Sequence, residues 1–222
     1  MDAPRAYLRE NPACLRLYAV TDDAWLGGRT LEACCAAAVR GGVTFLQLRD
    51  KHATSARLEA RYRAIEDALA CMPAASRVPF VINDDVQAAL VCDADGVHVG
   101  QSDTACAQAR ALLGPDKIVG VSAQTVEQAL AAEAAGADYL GVGALIATAT
   151  KPDAAIVARD ELARICAAVS IPVVGIGGLG PATLSCLQDT GVQGAAVVSA
   201  VFAADDIEAA SAALKEGVER VV

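Results

Sequence analysis

Hydrophobic residues in this chain come in two rhythms. Short apolar runs, four to six residues in the sequence printed above, stop on glycine or on a polar side chain, and longer alanine-rich stretches between them carry helical signals. Four segments share one layout, a small or glycine helix stop, a short apolar strand and then glycine or a polar end: Arg40 to Gln47, Asp93 to Gly100, Gly136 to Gly143 and Gly191 to Ser199. Each reads as a helix C-cap feeding a strand.

Extending that layout predicts strands near Leu17–Val20, Val43–Leu48, Pro79–Ile82, Gly96–Val99, Ile118–Ser122, Tyr139–Val142, Pro172–Ile176 and Ala195–Ser199. Helices are expected near Thr30–Arg40, Thr54–Cys71, Val86–Cys92, Thr104–Leu113, Val126–Ala135, Arg159–Val169, Pro181–Asp189 and Asp205–Gly217, after a short helical lead-in at Ala3–Glu10. Strict alternation requires parallel strands joined by crossover helices, and eight units favour closure over an open doubly wound sheet. The expected fold is an α/β (β/α)8 TIM barrel with a short N-terminal helix. No Pro/Ser-rich linker divides the chain, so residues 1–222 are expected to form a single domain. Gly96, Gly100, Gly120, Gly141, Gly143, Gly175 and Gly177 recur at alternate strand positions, as if to leave the upper lumen empty for a ligand.

Composition narrows this picture. An apolar fraction of 55% with only 4% aromatics suits many packed helices around a sheet better than a sandwich. A net charge of −9 argues against nucleic-acid or anionic-membrane surfaces, although a few local cations can still hold an anion at close range. The absence of a membrane-length apolar run and of a signal core near the first residue leads to a cytoplasmic expectation. The eight cysteines contain no C-x-x-C pair and are expected as reduced, buried thiols.

The chemistry is expected at the C-terminal ends of the strands. Gln47, Arg49 and Lys51 share one face of the second strand, the alternative being a solvated edge, and suit a phosphate or diphosphate. Asn83 and Asp84 end the third strand, and Asp103 follows the fourth. Two carboxylates beside a cationic diphosphate grip suit Mg2+, a hard cation that takes oxygen ligands. Each aspartate taken singly is better explained as a helix N-cap. Ser122 offers a hydroxyl donor, and Thr148, Thr150 and Lys151 lie in an irregular span from Ala144 to Ala158 expected to be mobile. Gly175 to Gly180 formally matches G-x-G-x-x-G, but only one strand follows it. A phosphate cup built from Gly177, Gly178 and Ser199 N–H groups is the better reading. Of the two histidines, His98 faces the lumen and is expected to be structural; Tyr18 and Trp25 are expected to pack.

Seven segments in order, LYAVTD (Leu17 to Asp22), QLRDK (Gln47 to Lys51), IND (Ile82 to Asp84), GVHVGQSD (Gly96 to Asp103), TATK (Thr148 to Lys151), GIGG (Gly175 to Gly178) and VVSA (Val197 to Ala200), together resemble the thiamine-phosphate synthase family. The resemblance implies a Mg2+-assisted transferase of thiamine biosynthesis. It would join a hydroxymethylpyrimidine diphosphate to a thiazole phosphate, or its carboxylated form, and release diphosphate. It implies that Gln47, Leu48, Arg49, Asp50, Lys51, Asn83, Ser122 and Lys151 hold the pyrimidine diphosphate. Thr148, Ala149, Thr150, Gly178, Val198 and Ser199 would hold the thiazole phosphate, and Asp84 and Asp103 would bind Mg2+. Arg49, Lys51, Lys151 and Ser122 would be the catalytic groups. The partners implied are these two small substrates, with no nucleic acid and no membrane, and family members are often homodimers. One departure is Leu145, Ile146 and Ala147, where the family usually has an aromatic residue and a proline. Two rivals are a thiazole tautomerase of the same barrel type and a non-catalytic phosphate-binding regulator, neither of which needs a complete diphosphate and metal site. No Ser/His/Asp or Cys/His arrangement is expected among the candidate residues.

Overall fold

The computed structural model describes residues 3–101, 105–147 and 155–222, and over them eight parallel strands close into a barrel in chain order. The strands are β1 (Leu17–Val20), β2 (Phe45–Leu48), β3 (Phe80–Asn83), β4 (Gly96–Val99), β5 (Ile118–Ala123), β6 (Tyr139–Val142), β7 (Val173–Ile176) and β8 (Gly194–Val197). Closure comes from β8 pairing with β1, Leu17 opposite Ala195 and Ala19 opposite Val197.

Both faces of the strands are buried, which explains why they read as nearly continuous apolar runs. Leu46, Leu48, Ile82, Val97, Val119, Val121 and Leu140 pack outward beneath the helices. Tyr18, Val20, Phe45, Val81, Ile118, Tyr139 and Val174 point inward and form a separate inner cluster.

The outer layer comprises α2 (Leu31–Arg40), α3 (Ser55–Ala70), α4 (Val86–Val91), α5 (Cys106–Leu113), α6 (Val126–Ala134), α7 (Arg159–Ala168) and α9 (Ile207–Glu219). Side chains of Thr30, Thr54, Asp85, Thr125 and Asp206 accept a backbone N–H of the first turn, so five helices start where the sequence places a capping residue. At the foot of the barrel α1 (Pro4–Glu10) and a 3-10 turn (Pro12–Leu15) bring Leu8 and Leu15 under Tyr18 and Phe45 as a plug. Asp138, only 2% exposed, pairs there with Arg5 at 2.6 Å and with Arg110, and accepts the Val119 N–H at 2.9 Å.

Three sequence expectations change. Pro181–Asp189 is not an α-helix but carries one 3-10 turn, Leu184–Leu187. The Thr183 hydroxyl bonds locally, accepting the Gly180 N–H and donating to a nearby carbonyl, and Asp189 turns left-handed at φ 59°, so no longer helix propagates. The last strand stops at Val197, and Ser199 opens a short helix, α8 (Ser199–Phe202). Gly175 faces outward: a Cβ there would meet Leu187 Cδ2 at 2.6 Å and Leu145 Cδ1 at 2.9 Å.

All eight cysteines are free; five are buried, Cys166 and Cys186 are half-buried and Cys71 is exposed. Among the described residues no helix is long and apolar enough to cross a membrane.

Candidate active site

Above the inner aromatic layer the C-terminal ends of the strands enclose a cavity of about 830 Å³. That layer, beneath the residues that line the cavity, is Tyr18, Phe45 and Tyr139, whose ring centroids lie 4.5 to 5.9 Å apart in tilted and edge-on contacts. The wall is lined by Gln47, Arg49, Lys51, Asn83, Asp84, His98, Ser122 and Gln124 on one side, and by Ile176, Gly177, Gly178, Val198 and Ser199 on the other.

The two-residue period of β2 decides which of its candidates reach the cavity. Gln47, Arg49 and Lys51 do. Leu48 does not: its side chain is fully buried in the outer layer between barrel and helices. Asp50 turns to α3, where its Oδ2 lies 2.9 Å from Arg61 and 3.3 Å from Arg57, close enough for ion pairing but not aligned for a hydrogen bond. Arg49 is braced by Asp22 at 2.9 Å, while Lys51 has no ion-pair partner among the described residues. One braced cation and one with no ion-pair partner among the described residues therefore face the same space.

Asp84 does not cap a helix. The neighbouring Asp85 caps α4, accepting the Ala88 N–H at 2.8 Å, and Asp84 sits in a left-handed turn with φ 63° that leaves it lining the cavity. Such a conformation is uncommon outside glycine and is held here by an Asp84 N–H to His98 carbonyl bond of 2.8 Å. Asp103, Thr148, Ala149, Thr150 and Lys151 lie outside the described residues.

Gly177 and Gly178 both have positive φ, 97° and 68°. A Cβ on Gly178 would meet Ile146 Cβ at 2.7 Å, as one on Gly175 would meet Leu145. Two residues of the departure segment thus fill spaces that glycines of the β7 end leave open, and Leu145 and Ile146 donate to the Ile176 and Gly177 carbonyls at 3.0 and 3.1 Å. The base of the loop is pinned by Val157 N–H to the Ala144 carbonyl at 2.8 Å.

A continuous polar chain crosses the lumen, and the sequence did not suggest it. Asn83 Nδ2 donates to Asp84 at 2.5 Å, Gln47 Nε2 donates to Asn83 Oδ1 at 2.7 Å, and the Tyr18 hydroxyl donates to Gln47 Oε1 at 2.9 Å. Tyr18 and Tyr139 hydroxyls are 2.8 Å apart, Tyr139 lies 2.9 Å from His98 Nδ1, and His98 Nε2 lies 3.0 Å from Ser122 Oγ. Burial pushes both phenols well above their ordinary pKa, so they remain protonated donors. Tyr18 therefore both packs and hydrogen-bonds. Tyr139 is the residue missed; its only signal was a polar atom at an inward strand position.

Lumen-facing glycines serve this chain as much as the cavity. A Cβ on Gly120 would fall 2.2 Å from the Tyr139 ring, and one on Gly141 would be 3.2 Å from His98 Cε1. Gly100, Gly141 and Gly143 also line the open space. Ser122, one of the candidate residues, is hydrogen-bonded to His98, a contact that the sequence reading did not anticipate. They do not make a nucleophilic triad, since Nδ1 faces a neutral phenol where a triad has a carboxylate to stabilise the imidazolium.

Comparison with known proteins agrees with this geometry. The family model described as thiamine monophosphate synthase matches residues 17–201. Thiamine-phosphate synthase of Ruminiclostridium cellulolyticum is 46% identical over 203 residues, spanning 90% of this chain and 93% of that protein. The Chloroflexus aurantiacus thiamine-phosphate synthase is 48% identical over 203 residues, spanning 90% and 91%. A solved structure, thiamine phosphate pyrophosphorylase from Pyrococcus furiosus, superposes with a TM-score of 0.84 at 34% identity and covers 95% of this chain and 98% of that one. With a barrel closed in chain order, a cavity carrying a cationic rim and a glycine wall, and relatives that match over nine-tenths of the sequence, the chain belongs to the thiamine monophosphate synthase family.

Proposed function

We propose that the cavity joins an aminopyrimidine methyl diphosphate to a thiazole phosphate, giving thiamine phosphate and diphosphate. The observation that carries this reading is that Arg49, Lys51 and Asp84 and the Gly177–Gly178–Ser199 wall share one space of about 830 Å³. Two anionic ligands can thus be held face to face, with the reacting carbon and nitrogen between them.

In the reaction the C–O bond between the pyrimidine methylene and diphosphate breaks, the bonding pair leaves with diphosphate, and the thiazole nitrogen donates its pair to the resulting cation. No nucleophile or strong base is required of the protein. Arg49 and Lys51 hold the departing oxygens and offset charge as it develops, and Arg49 is kept in place for this by Asp22. Lys151 adds a third cation to that rim in this reading. Gly178, Val198 and Ser199, with Thr148, Ala149 and Thr150, seat the thiazole phosphate. Asn83 and Gln47 hold the pyrimidine side.

Asp84 fits a hard divalent cation, being a carboxylate on the wall of the cavity that Arg49 and Lys51 also line for a diphosphate, and with Asp103 it would hold Mg2+. Held by these residues, Mg2+ would supply further neutralisation of the diphosphate charge.

Incubation of the full chain with both heterocycles and Mg2+ tests the reading by diphosphate release. Release only when both are present is expected. Release from the pyrimidine diphosphate alone, or a proton exchange on the thiazole without release, would overturn it in favour of a hydrolase or a tautomerase.

A further inference from the structure

The polar chain across the lumen has a direction, and Asp84 sets it. As a carboxylate Asp84 can only accept, so Asn83 presents its amide nitrogen to it and its carbonyl oxygen to Gln47. Turning either amide over would set two oxygens against each other at 2.5 or 2.7 Å. Gln47 must then accept from Tyr18, and Tyr18, its proton committed, must accept from Tyr139. Tyr139 is left with a lone pair for His98, so Nδ1 carries the proton, and in the singly protonated ring Nε2 is the acceptor. Ser122 accordingly donates inward to Nε2 and turns only lone pairs to the cavity.

We propose that Tyr18, Tyr139 and His98 are positioning residues that transmit the hydrogen-bond polarity of Asp84 to Ser122, making Ser122 a pure acceptor for an N–H donor of the substrate. The proposal rests on the reading that seats the aminopyrimidine in this cavity and deepens it. Diphosphate offers only acceptors at the oxygens it presents, so it is not the partner of Ser122. The pyrimidine ring carries one kind of N–H donor, its amino group, and this is what an acceptor-only Ser122 selects. Ser122, expected from the sequence as a donor, thus has the opposite sense. The arrangement also explains Gly120 and Gly141, which open the room that the Tyr139 and His98 rings occupy.

The chain contains only two histidines, His52 and His98, so histidine labelled with nitrogen-15 gives a readable spectrum of the ligand-free protein, and H52Q assigns it by loss of one signal set. At neutral pH His98 is expected to show a protonated Nδ1 and a bare Nε2. In Y18F, which keeps the ring and removes a hydroxyl two hydrogen bonds away from His98, Tyr139 loses its acceptor and turns its proton to Nδ1. The His98 signals are then expected to shift to the Nε2–H form, and the KM for the pyrimidine diphosphate to rise about tenfold, the scale of one mispaired buried hydrogen bond, with the thiazole phosphate KM unchanged. Rescue by Y18W, which restores a donor without the phenol lone pair, is not expected.

An Nε2–H signal in the wild-type protein, or a Y18F spectrum identical to wild type, would overturn the proposal whatever the assay of activity gives. If Y18F does not fold, the wild-type spectrum and a substrate analogue decide. A pyrimidine diphosphate with methoxy in place of the amino group is expected to bind wild type about tenfold more weakly, and S122A to bind the two alike. Equal binding of both compounds by wild type would remove Ser122 as the reader of the amino group.

Discussion

At the foot of the barrel Asp138 is enclosed by Arg5 and Arg110, and α1 covers it; at the mouth Asp84 stands at one end of a hydrogen-bonded chain whose other end, Ser122, opens on a cavity. Both are aspartates beside cationic side chains in a largely apolar barrel. The lower network is closed by protein groups alone, one carboxylate shared by two arginines whose other donors go to the Pro115, Gly114 and Lys117 carbonyls, and acts as a brace. The upper one faces Lys51, which lacks a partner among the described residues, and so retains charge for something that enters. A buried ionic group stabilises or serves chemistry according to whether the surrounding groups leave anything for a ligand to satisfy.

Substitutions at the two ends should separate these roles. D138A strands two arginines in a buried setting and is expected to lower unfolding free energy by about 3–5 kcal/mol in urea titration, with kcat of the folded fraction unchanged. Loss of activity at unchanged stability would break the distinction. D84N should do the reverse, lowering Mg2+-dependent turnover by about a hundredfold or more while the melting temperature stays close to wild type. G120A lies between them: its methyl must displace the Tyr139 ring, and about 1–3 kcal/mol of stability should go together with a weaker pyrimidine KM. A change in stability alone would show that the aromatic layer does not reach the site.

The smallest effect is expected at Asp23, where a hydrogen bond from Arg61 holds the carboxyl below its ordinary pKa, with Arg57 adding to it. A depressed carboxyl contributes stability above its unfolded pKa and loses it as pH falls through the folded value. D23N should therefore cost less than about 1 kcal/mol near neutrality, discounted for its 39% exposed side chain, and the gap to wild type should close in acid. A gap that widens on acidification would contradict the assignment.

The barrel was legible because parallel strands buried on both faces leave uninterrupted apolar runs, and because Thr30, Thr54, Thr125 and Asp206 mark where helices begin. Pro181–Asp189 misled because its composition suits a helix, while the Thr183 hydroxyl bonds to its own turn. The apolar stretch from Ala195 to Phe202 has no change of period to mark where strand gives way to α8. At the site, alternation already places Gln47, Arg49 and Lys51 on one face, and the same rule sends Leu48 outward. Asp50, which the resemblance places among the diphosphate residues, pairs instead with Arg57 and Arg61, and this was not legible because those arginines belong to the next helix. The chain from Asp84 to Ser122 draws one or two residues from each of six consecutive strands or strand ends, and no local spacing announces such an assembly.

Trp25, the sole indole of the chain, follows β1 and borders the large cavity. Its emission is consequently an intrinsic gauge of occupancy: a heterocycle stacking nearby would quench it, and a titration could follow filling in unlabelled protein, with no competing fluorophore of its kind to subtract.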